Sequence, residues 1–441
     1  MNKTKSGKKN IEQLGGLLVS EKESRLYRLS KDASEYVKFC RMFNGELKNT
    51  IDVNKLNISM LENSISFFKE KTLVCNIHDI SPIRKPESQK LDSLGLVKDL
   101  ENGVIPGYET FNSVMVDRKS KELRFLSSTP FSNGDSKFVG VKERKSYEKG
   151  LLEEKRRAEI EQYDLSSQSF NQNDVIKGQL RQISKAIKTE NPSLTVIDLF
   201  DRGFDSNDLF ALEAELGHEF ITRLKGNRNS NEVYMTENSA EKAIKLKDQF
   251  FMKGEDLPYK KISFKERIYL QAKGVFQWDN VEIAEKTYSV LRVEFYQRNG
   301  VKIFKDPMLL LTSLNINNLA MAQMVWELYM QRMKIESVFR FCKQELKWES
   351  PRIDDWQTMQ NLLTFIYFVA GYFYEVEHEL KNDPTVIWIA QLARSKGKVT
   401  PHFIIKGLGI IAGYIQVQKM IKEGIFTESD IQELAKNYLI L

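Results

Sequence analysis

Apolar residues recur along this chain in two rhythms, and the changes between them mark its elements. From residue 1 to about 65, charged and apolar positions alternate at helical spacing, as in "IEQLGGLLVSEKESRLYRL" and "ASEYVKFCRMF". Asn57-Ile58-Ser59 precedes "MLENSISFFKEK" as an N-cap, so a small helical domain with a lysine-rich tip is expected. At Thr72 the rhythm shortens to that of strands. "TLVCNIHD" is an apolar, β-prone run ending at His78 and Asp79, and "FNSVMVDRK" and "LRFLSSTPF" follow, separated by the polar "KSKE". A long polar helix, "YEKGLLEEKRRAEIEQYDL" onwards, comes next. "LTVIDLFDRGFDSNDLFALEAELGHEFITRLKG" then reads as strand, loop, helix, strand.

Three antiparallel strands followed by helix, strand, helix and strand is the order of an RNase H-like α/β fold. From Asn227 to about Asn318 strand signals return in "YSVLRVEFYQ" and "VKIFKD", joined by Arg298-Asn299-Gly300, where Asn-Gly signals a hairpin. "MLLLTSL" adds a strand. Beyond Trp348 the pattern is helical to the end, with "LLTFIYFVAGYFY" and "GIIAGYI" apolar nearly all round. The expected organisation is a helical segment over 1–65, whose lysine-rich tip reads either as DNA-binding or as a packing appendage, and an RNase H-like core over 66–226. A β-rich insertion over 227–319 interrupts that core, which resumes over 320–350. A helical domain covers 351–441, and its apolar stretches read either as internal core or as a dimerisation contact.

At 441 residues the chain exceeds one ordinary domain, and 41% hydrophobic with 29% charged residues is a globular composition. The net charge of +6 favours a polyanionic partner. Three scattered cysteines (Cys40, Cys75 and Cys342) without CxxC spacing argue against a disulfide framework or a zinc site, and fit a reducing cytoplasm. No apolar stretch follows the basic start, and the longest apolar run is too short to span a bilayer, so a soluble protein is expected. No GxxxxGK[ST] run appears.

The densest chemistry lies in "WELYMQRMKIESVFRFCKQEL". On one continuous helix Tyr329, Arg332, Glu336 and Lys343 fall at roughly 0°, 300°, 340° and 320°, a single stripe. Leu328, Ile335, Val338, Phe339, Cys342 and Leu346 fall on the adjoining arc and can anchor the helix to a core. A carboxylate flanked by two cations and a phenol suits a phosphodiester site. Arg332 and Glu336 alone would read as an ordinary i, i+4 ion pair. The full spacing resembles the Y-(2)-R-(3)-E-(6)-K signature of bacterial insertion-sequence transposases, the insertion-sequence-four group of the DDE superfamily.

That resemblance demands two upstream aspartates at strand ends. Asp79 ends the first strand and is followed by Arg84 and Lys85, a Leu94-Gly95 turn and an Asp99 loop, a layout similar to the family's first-aspartate block. Asp201 opens "DRGF" after "LTVIDLF" and resembles the second block. Strand alternation puts Asp201 on one face and its competitor Asp198 on the other, so Asp198 reads as a polar neighbour. Asp205 reads as an N-cap of the next helix. Arg223 and Lys225 fall where relatives place a DNA-contacting strand end. Where some relatives carry a base-stacking Trp, this chain has Met308, and its nearest preceding Trp is Trp278.

The resemblance implies that Asp79, Asp201 and Glu336 are catalytic and hold two divalent cations, magnesium with manganese able to substitute. It implies DNA contacts from Tyr329, Arg332 and Lys343, joined by Arg223, Lys225, Arg84 and Lys85. The expected activity is cut-and-paste transposition: nicking at the element's end, second-strand cleavage and strand transfer into target DNA. Its partners would be the terminal inverted repeats, target DNA and a second protomer in a paired-end complex, with the protein acting in the bacterial cytoplasm on nucleoid DNA. Two other readings stand beside it: a transposase-derived DNA-binding protein that does not cleave, and a metal-dependent endonuclease without strand transfer.

Overall fold

The computed structural model describes the chain except residues 1–4, 22, 45–50, 89, 100–102, 136, 141–142, 144–145, 148, 152, 163–170, 226–252, 265–266, 284–285, 426, 428 and 430–441. The first residues of the lysine-rich tip and the start of the β-rich stretch therefore lie outside the described residues. The strands are β1 (Leu73–Arg84), β2 (Gly95–Lys98), β3 (Val104–Asp117), β4 (Leu123–Phe131) and β5 (Thr195–Phe200). They continue as β6 (Glu219–Arg223), β7 (Lys253–Phe264), β8 (Arg267–Ile283), β9 (Lys286–Gln297) and β10 (Met308–Thr312). The helices before the second aspartate are α1 (Lys5–Ser20), α2 (Leu26–Leu29), α3 (Ala33–Arg41), α4 (Val53–Phe67), α5 (Glu154–Gln162) and α6 (Gln172–Glu190). Those after it are α7 (Asn207–Leu216), α8 (Leu319–Met330), α9 (Met333–Gln344), α10 (Trp356–Leu380), α11 (Pro384–Leu392) and α12 (Pro401–Lys422).

The chain divides into two compact units. One gathers Met1–Leu56, Pro82–Tyr108 and Val338–Leu441; the other gathers Asn57–Ser81 and Glu109–Ser337. In the second unit a mixed sheet runs β3-β1-β5-β6-β10-β9-β8-β7, with β4 paired to β3. The portion β4-β3-β1-β5-β6 carries the strand order of an RNase H-like core, with β1, β5 and β6 parallel. The β-rich stretch does not stand apart from that core. β10 pairs antiparallel with β6 on one side and β9 on the other, so its strands lengthen the same sheet. "VKIFKD" forms no ladder strand: after the turn at Gly300 (φ 80) it contributes one bridge, Lys302 to Tyr296.

Helix α6 shows why this face closes. Val175, Ile176, Leu180, Ile183 and Ile187 recur at helical spacing and are all buried, and Asn171 and Asp174 form a capping box at its start. Its first half packs with Phe200, Phe210, Phe220, Leu309 and Leu311, and its second with Leu61, Phe68, Val74 and Val196. These two clusters form the part of the unit's core that lies under α6.

In the first unit β2 pairs antiparallel with β3. The Leu94-Gly95 segment read as a turn is thus the start of a strand, since Leu96 and Lys98 point outward and Gly95 and Val97 inward, an alternation too short to register. Helix α10 is core: Leu362, Leu363, Phe365, Ile366 and Tyr367 are buried. The "GIIAGYI" stretch behaves differently, with Ile410, Tyr414 and Ile415 exposed on α12, and Trp388 of α11 is exposed too. Among the described residues, no helix is long and apolar enough to cross a membrane.

Candidate active site

Strands β1 and β5 run parallel with Asn76 opposite Asp198 and His78 opposite Phe200. Side chains alternate, so Asn76, His78, Asp198 and Phe200 share one face while Asp79 and Asp201 turn to the other. Asp79 and Asp201 are the next residue on each chain, and the two carboxylates leave neighbouring strands side by side. Asp79 does not end its strand: β1 runs on to Arg84, and only its pairing with β5 stops at His78. Asp79 Oδ1 accepts from the Ile80 amide at 2.8 Å. Asp201 Oδ1 accepts from the Arg202 amide at 2.5 Å, capping the short 3₁₀ turn Arg202–Phe204.

The segment carrying Tyr329 to Lys343 is two helices rather than the expected one. At the break the amides of Gln331, Arg332, Lys334 and Ile335 bond to carbonyls three residues back, over 2.9–3.2 Å, a 3₁₀ tightening of the chain. Tyr329 sits at the end of α8, Arg332 in the break, Glu336 in the first turn of α9 and Lys343 in its last. The break aims Arg332 between two acids. Its Nη1 donates to Asp79 Oδ2 at 2.9 Å and its Nη2 to Glu336 Oε1 at 2.6 Å.

Burial pushes the Asp79 carboxyl up to about 7, a rise that Arg332 opposes and the charges of Asp201 and Glu336 reinforce. For Arg332 burial works against the charge, but Asp79 above all, with Tyr329, Asp201 and Glu336, holds the guanidinium well above its ordinary range. Burial moves the Tyr329 phenol up to about 12, so it remains an O–H donor. A cavity of about 400 Å³ opens here. Its lining combines the polar Asp201, Arg223, Tyr329, Arg332 and Glu336 with the apolar Phe295, Phe304 and Met308.

Arg223 ends β6 and faces this cavity, while Lys225 lies exposed just beyond it. The Lys225 amide donates to Asp205 Oδ2 at 2.8 Å. Asp205 is therefore occupied with that loop, and the N-cap of α7 is Ser206, whose hydroxyl accepts from the Leu209 amide at 3.4 Å.

Lys343, Arg84 and Lys85 belong to the other unit, where Glu349 gathers them. Lys343 Nζ donates to the Pro82 carbonyl at 2.7 Å and lies 3.1 Å from Glu349 Oε1. Burial lowers its ammonium against the pull of Glu349. Arg84 Nη1 stands 3.6 Å from the same carboxylate oxygen. Lys85 is buried, and its Nζ donates to the carbonyls of Glu349 and Pro351 at 2.6 and 2.5 Å. In this conformation Lys85 presents no ammonium to solvent. The sequence reading did not single out Glu349, and nothing in its local pattern marks it.

A further group went unread. Ligand atoms of Asp198, Glu213 and His218 lie within 4.8 Å of one another, all buried, an Asp-Glu-His set whose chemistry fits metal binding. Burial disfavours the Asp198 charge, yet the His218 and His78 contacts hold its carboxyl far below the usual range. Burial and that neighbouring charge push Glu213 far above its own. The available signal was polar residues, Asn76, His78 and Asp198, on the inward face of otherwise apolar strands.

Residues 152–370 match the family model described as "Transposase DDE domain". The match supports a DDE transposase. No curated protein matches the chain. A DDE transposase acts on DNA and generally uses divalent metal ions. The matched stretch takes in Asp201, Arg223, Tyr329, Arg332, Glu336 and Lys343. Asp79 precedes it and joins the group through Arg332.

Proposed function

We propose that this protein is a DNA transposase of the insertion-sequence-four type that cuts and pastes its element, with Asp79, Asp201 and Glu336 as its catalytic acids. The observation that carries this reading is the Arg332 bridge, which draws together carboxylates from β1 and α9 beside the strand end bearing Asp201. The donor set fits the cofactor. Three carboxylates suit hard divalent cations, and two of them already gather around a positive group. Magnesium, with manganese as substitute, would be held there as a pair and would supply an activated oxygen nucleophile and a stabilised leaving oxygen.

The chain's own residues position the DNA. The Tyr329 hydroxyl and the Arg223 guanidinium face the cavity that holds Asp201 and Glu336, where phosphate oxygens would lie. Lys225, exposed just beyond β6, extends those contacts along the strand, and Lys343 is a phosphate contact carried by its own unit. In the first step a water oxygen bonds to phosphorus as the 3′-oxygen leaves. In strand transfer the freed 3′-hydroxyl attacks a target phosphorus and another 3′-oxygen leaves. Met308 lines the same cavity, where a thioether can wedge beside a base but stacks less well than an indole.

Two ends must be held at once, which calls for a second protomer. The exposed Trp388, Ile410, Tyr414 and Ile415 support α11 and α12 as that contact. A joining assay with labelled element ends and supercoiled target tests the reading. Magnesium-dependent insertions are expected; cut ends without insertions would identify an endonuclease, and binding without cutting a non-cleaving derivative.

A further inference from the structure

Behind the two strand aspartates, on the opposite face of β1 and β5, hydrogen bonds converge on one buried carboxylate. Asp198 Oδ1 accepts from Asn76 Nδ2 at 2.9 Å and lies 3.0 Å from His78 Nε2, and Oδ2 lies 2.6 Å from His218 Nδ1. His78 Nδ1 in turn lies 2.7 Å from Ser113 Oγ. Gln179 Nε2 donates to Ser113 Oγ at 2.7 Å, and Thr129 Oγ1 donates to Gln179 Oε1 at 2.6 Å.

The chemistry of these groups orders the hydrogens. A carboxylate only accepts, so His78 carries its proton on Nε2. The Gln179 amide fills a lone pair of Ser113 Oγ, which frees the Ser113 hydrogen for His78 Nδ1. Every donor in the relay then points toward Asp198. Asn76, His78, Ser113 and Asp198 are all fully buried, so no water competes for these bonds. The His78 ring stacks between Phe111 and Phe200, with centroids 5.9 and 5.0 Å away.

Asn76 Oδ1 is buried without a hydrogen-bond partner, so what distinguishes this network is its place on the strands. His78 is the last residue of β1 that pairs with β5, and Asp79 is the first beyond it. Backbone pairing therefore stops where the carboxylates must be held most tightly. Two rungs inside that end, opposite Asn76, the Asp198 side chain adds to the pairing: it bonds Asn76, reaches the last paired residue His78, and ties His218 at the head of β6 to β5. We infer that Asp198 is a positioning residue: it locks β1 to β5 at the last paired residue and so sets the separation of Asp79 and Asp201 on the other face. The inference rests on those two acids being the metal-binding pair of the proposed function.

Displacing one ligand of a pair by about 1 Å weakens a site by one to two orders of magnitude. In the full-length protein, Asp198→Ala should raise the magnesium needed for half-maximal nicking about tenfold, with excess magnesium restoring much of the rate. Manganese calorimetry without DNA should show the same shift with the number of bound ions unchanged, whereas the loss of one ion would make Asp198 itself a ligand, with Glu213 and His218, and overturn the inference; gel-shift affinity for element ends should be unchanged. Asp198→Asn keeps an acceptor oxygen for Asn76 and His78 and should recover part of the lost affinity, which a general loss of folding would not do. Ser113→Ala, a smaller change, should move the magnesium requirement in the same direction, by about threefold; it decides the matter if Asp198→Ala does not fold. A folded Asp198→Ala, or Ser113→Ala in its place, that titrates like the parent overturns the inference alone. A parent that neither nicks nor binds manganese overturns the proposed function, and this inference with it.

Discussion

Arg332 and Asp79, separated by 253 positions in the chain, meet at 2.9 Å, and the same guanidinium reaches Glu336 at 2.6 Å. A fork of this kind needs two N–H groups pointing in different directions, which a lysine ammonium on a flexible stem does not hold in place. Arg332→Ala leaves two partly buried carboxylates facing each other across the space it filled. The metal-free protein should lose about 1–3 kcal/mol in denaturant unfolding, and Arg332→Lys should recover less than half of it. An Arg332→Ala protein as stable as its parent would show that the bridge is not a stabilising contact.

The Asp79 carboxyl, raised by burial to about 7, makes stability depend on pH. Between its unfolded value near 4 and its folded value, the native state binds the extra proton. The stabilisation is complete below about 4 and is lost as pH rises through about 7. Urea unfolding without metal should therefore show this component weakening toward neutrality, and Asp79→Asn should remove it. An Asp79→Asn protein with the parent's pH profile would show that Asp79 is ionised throughout.

Two basic residues that look alike in sequence should behave differently. Arg223→Ala should weaken DNA binding and reduce the slope of log K against log salt by about one, the signature of one lost phosphate contact. Lys85→Met should leave that slope unchanged while costing about 1–3 kcal/mol of stability, because its ammonium is bonded to two carbonyls. Gel shifts across a salt series check both. An unchanged slope for Arg223→Ala would leave that guanidinium without a phosphate.

Tyr414 and Ile415 are each about three-fifths exposed on α12. Replacing them together as Tyr414→Glu and Ile415→Asp should leave single-end binding intact and abolish the paired-end complex. Light scattering of the protein with end DNA reads this directly, and a double variant that still pairs ends would move the dimer contact elsewhere.

The parts of this fold legible in the sequence are those that local pattern determines. The alternation of "LTVIDLF" separated Asp198 from Asp201, and the helical stripe of α6 was plain. The break between α8 and α9 was not, because Gln331 and Arg332 are good helix formers and no Gly or Pro marks the place. The contact made at that place, Arg332 to Asp79, comes from 253 positions away and leaves no mark in the local pattern. The β-rich stretch read as an insertion because its strands follow one another locally; their edge pairing through β10 to β6 is a long-range event. The Asp198 network was hidden for the same reason, since its members come from five separate elements and the β6 boundary.

The central claim is that Asp79, Asp201 and Glu336 form one metal-dependent site. Its most direct test is single-turnover nicking of an element end by Asp79→Ala, Asp201→Ala and Glu336→Ala, with end binding measured on the same preparations. The account predicts that each loses nicking by on the order of a thousandfold while binding changes little. Retained nicking in Asp201→Ala together with loss in Asp198→Ala at saturating magnesium would contradict it.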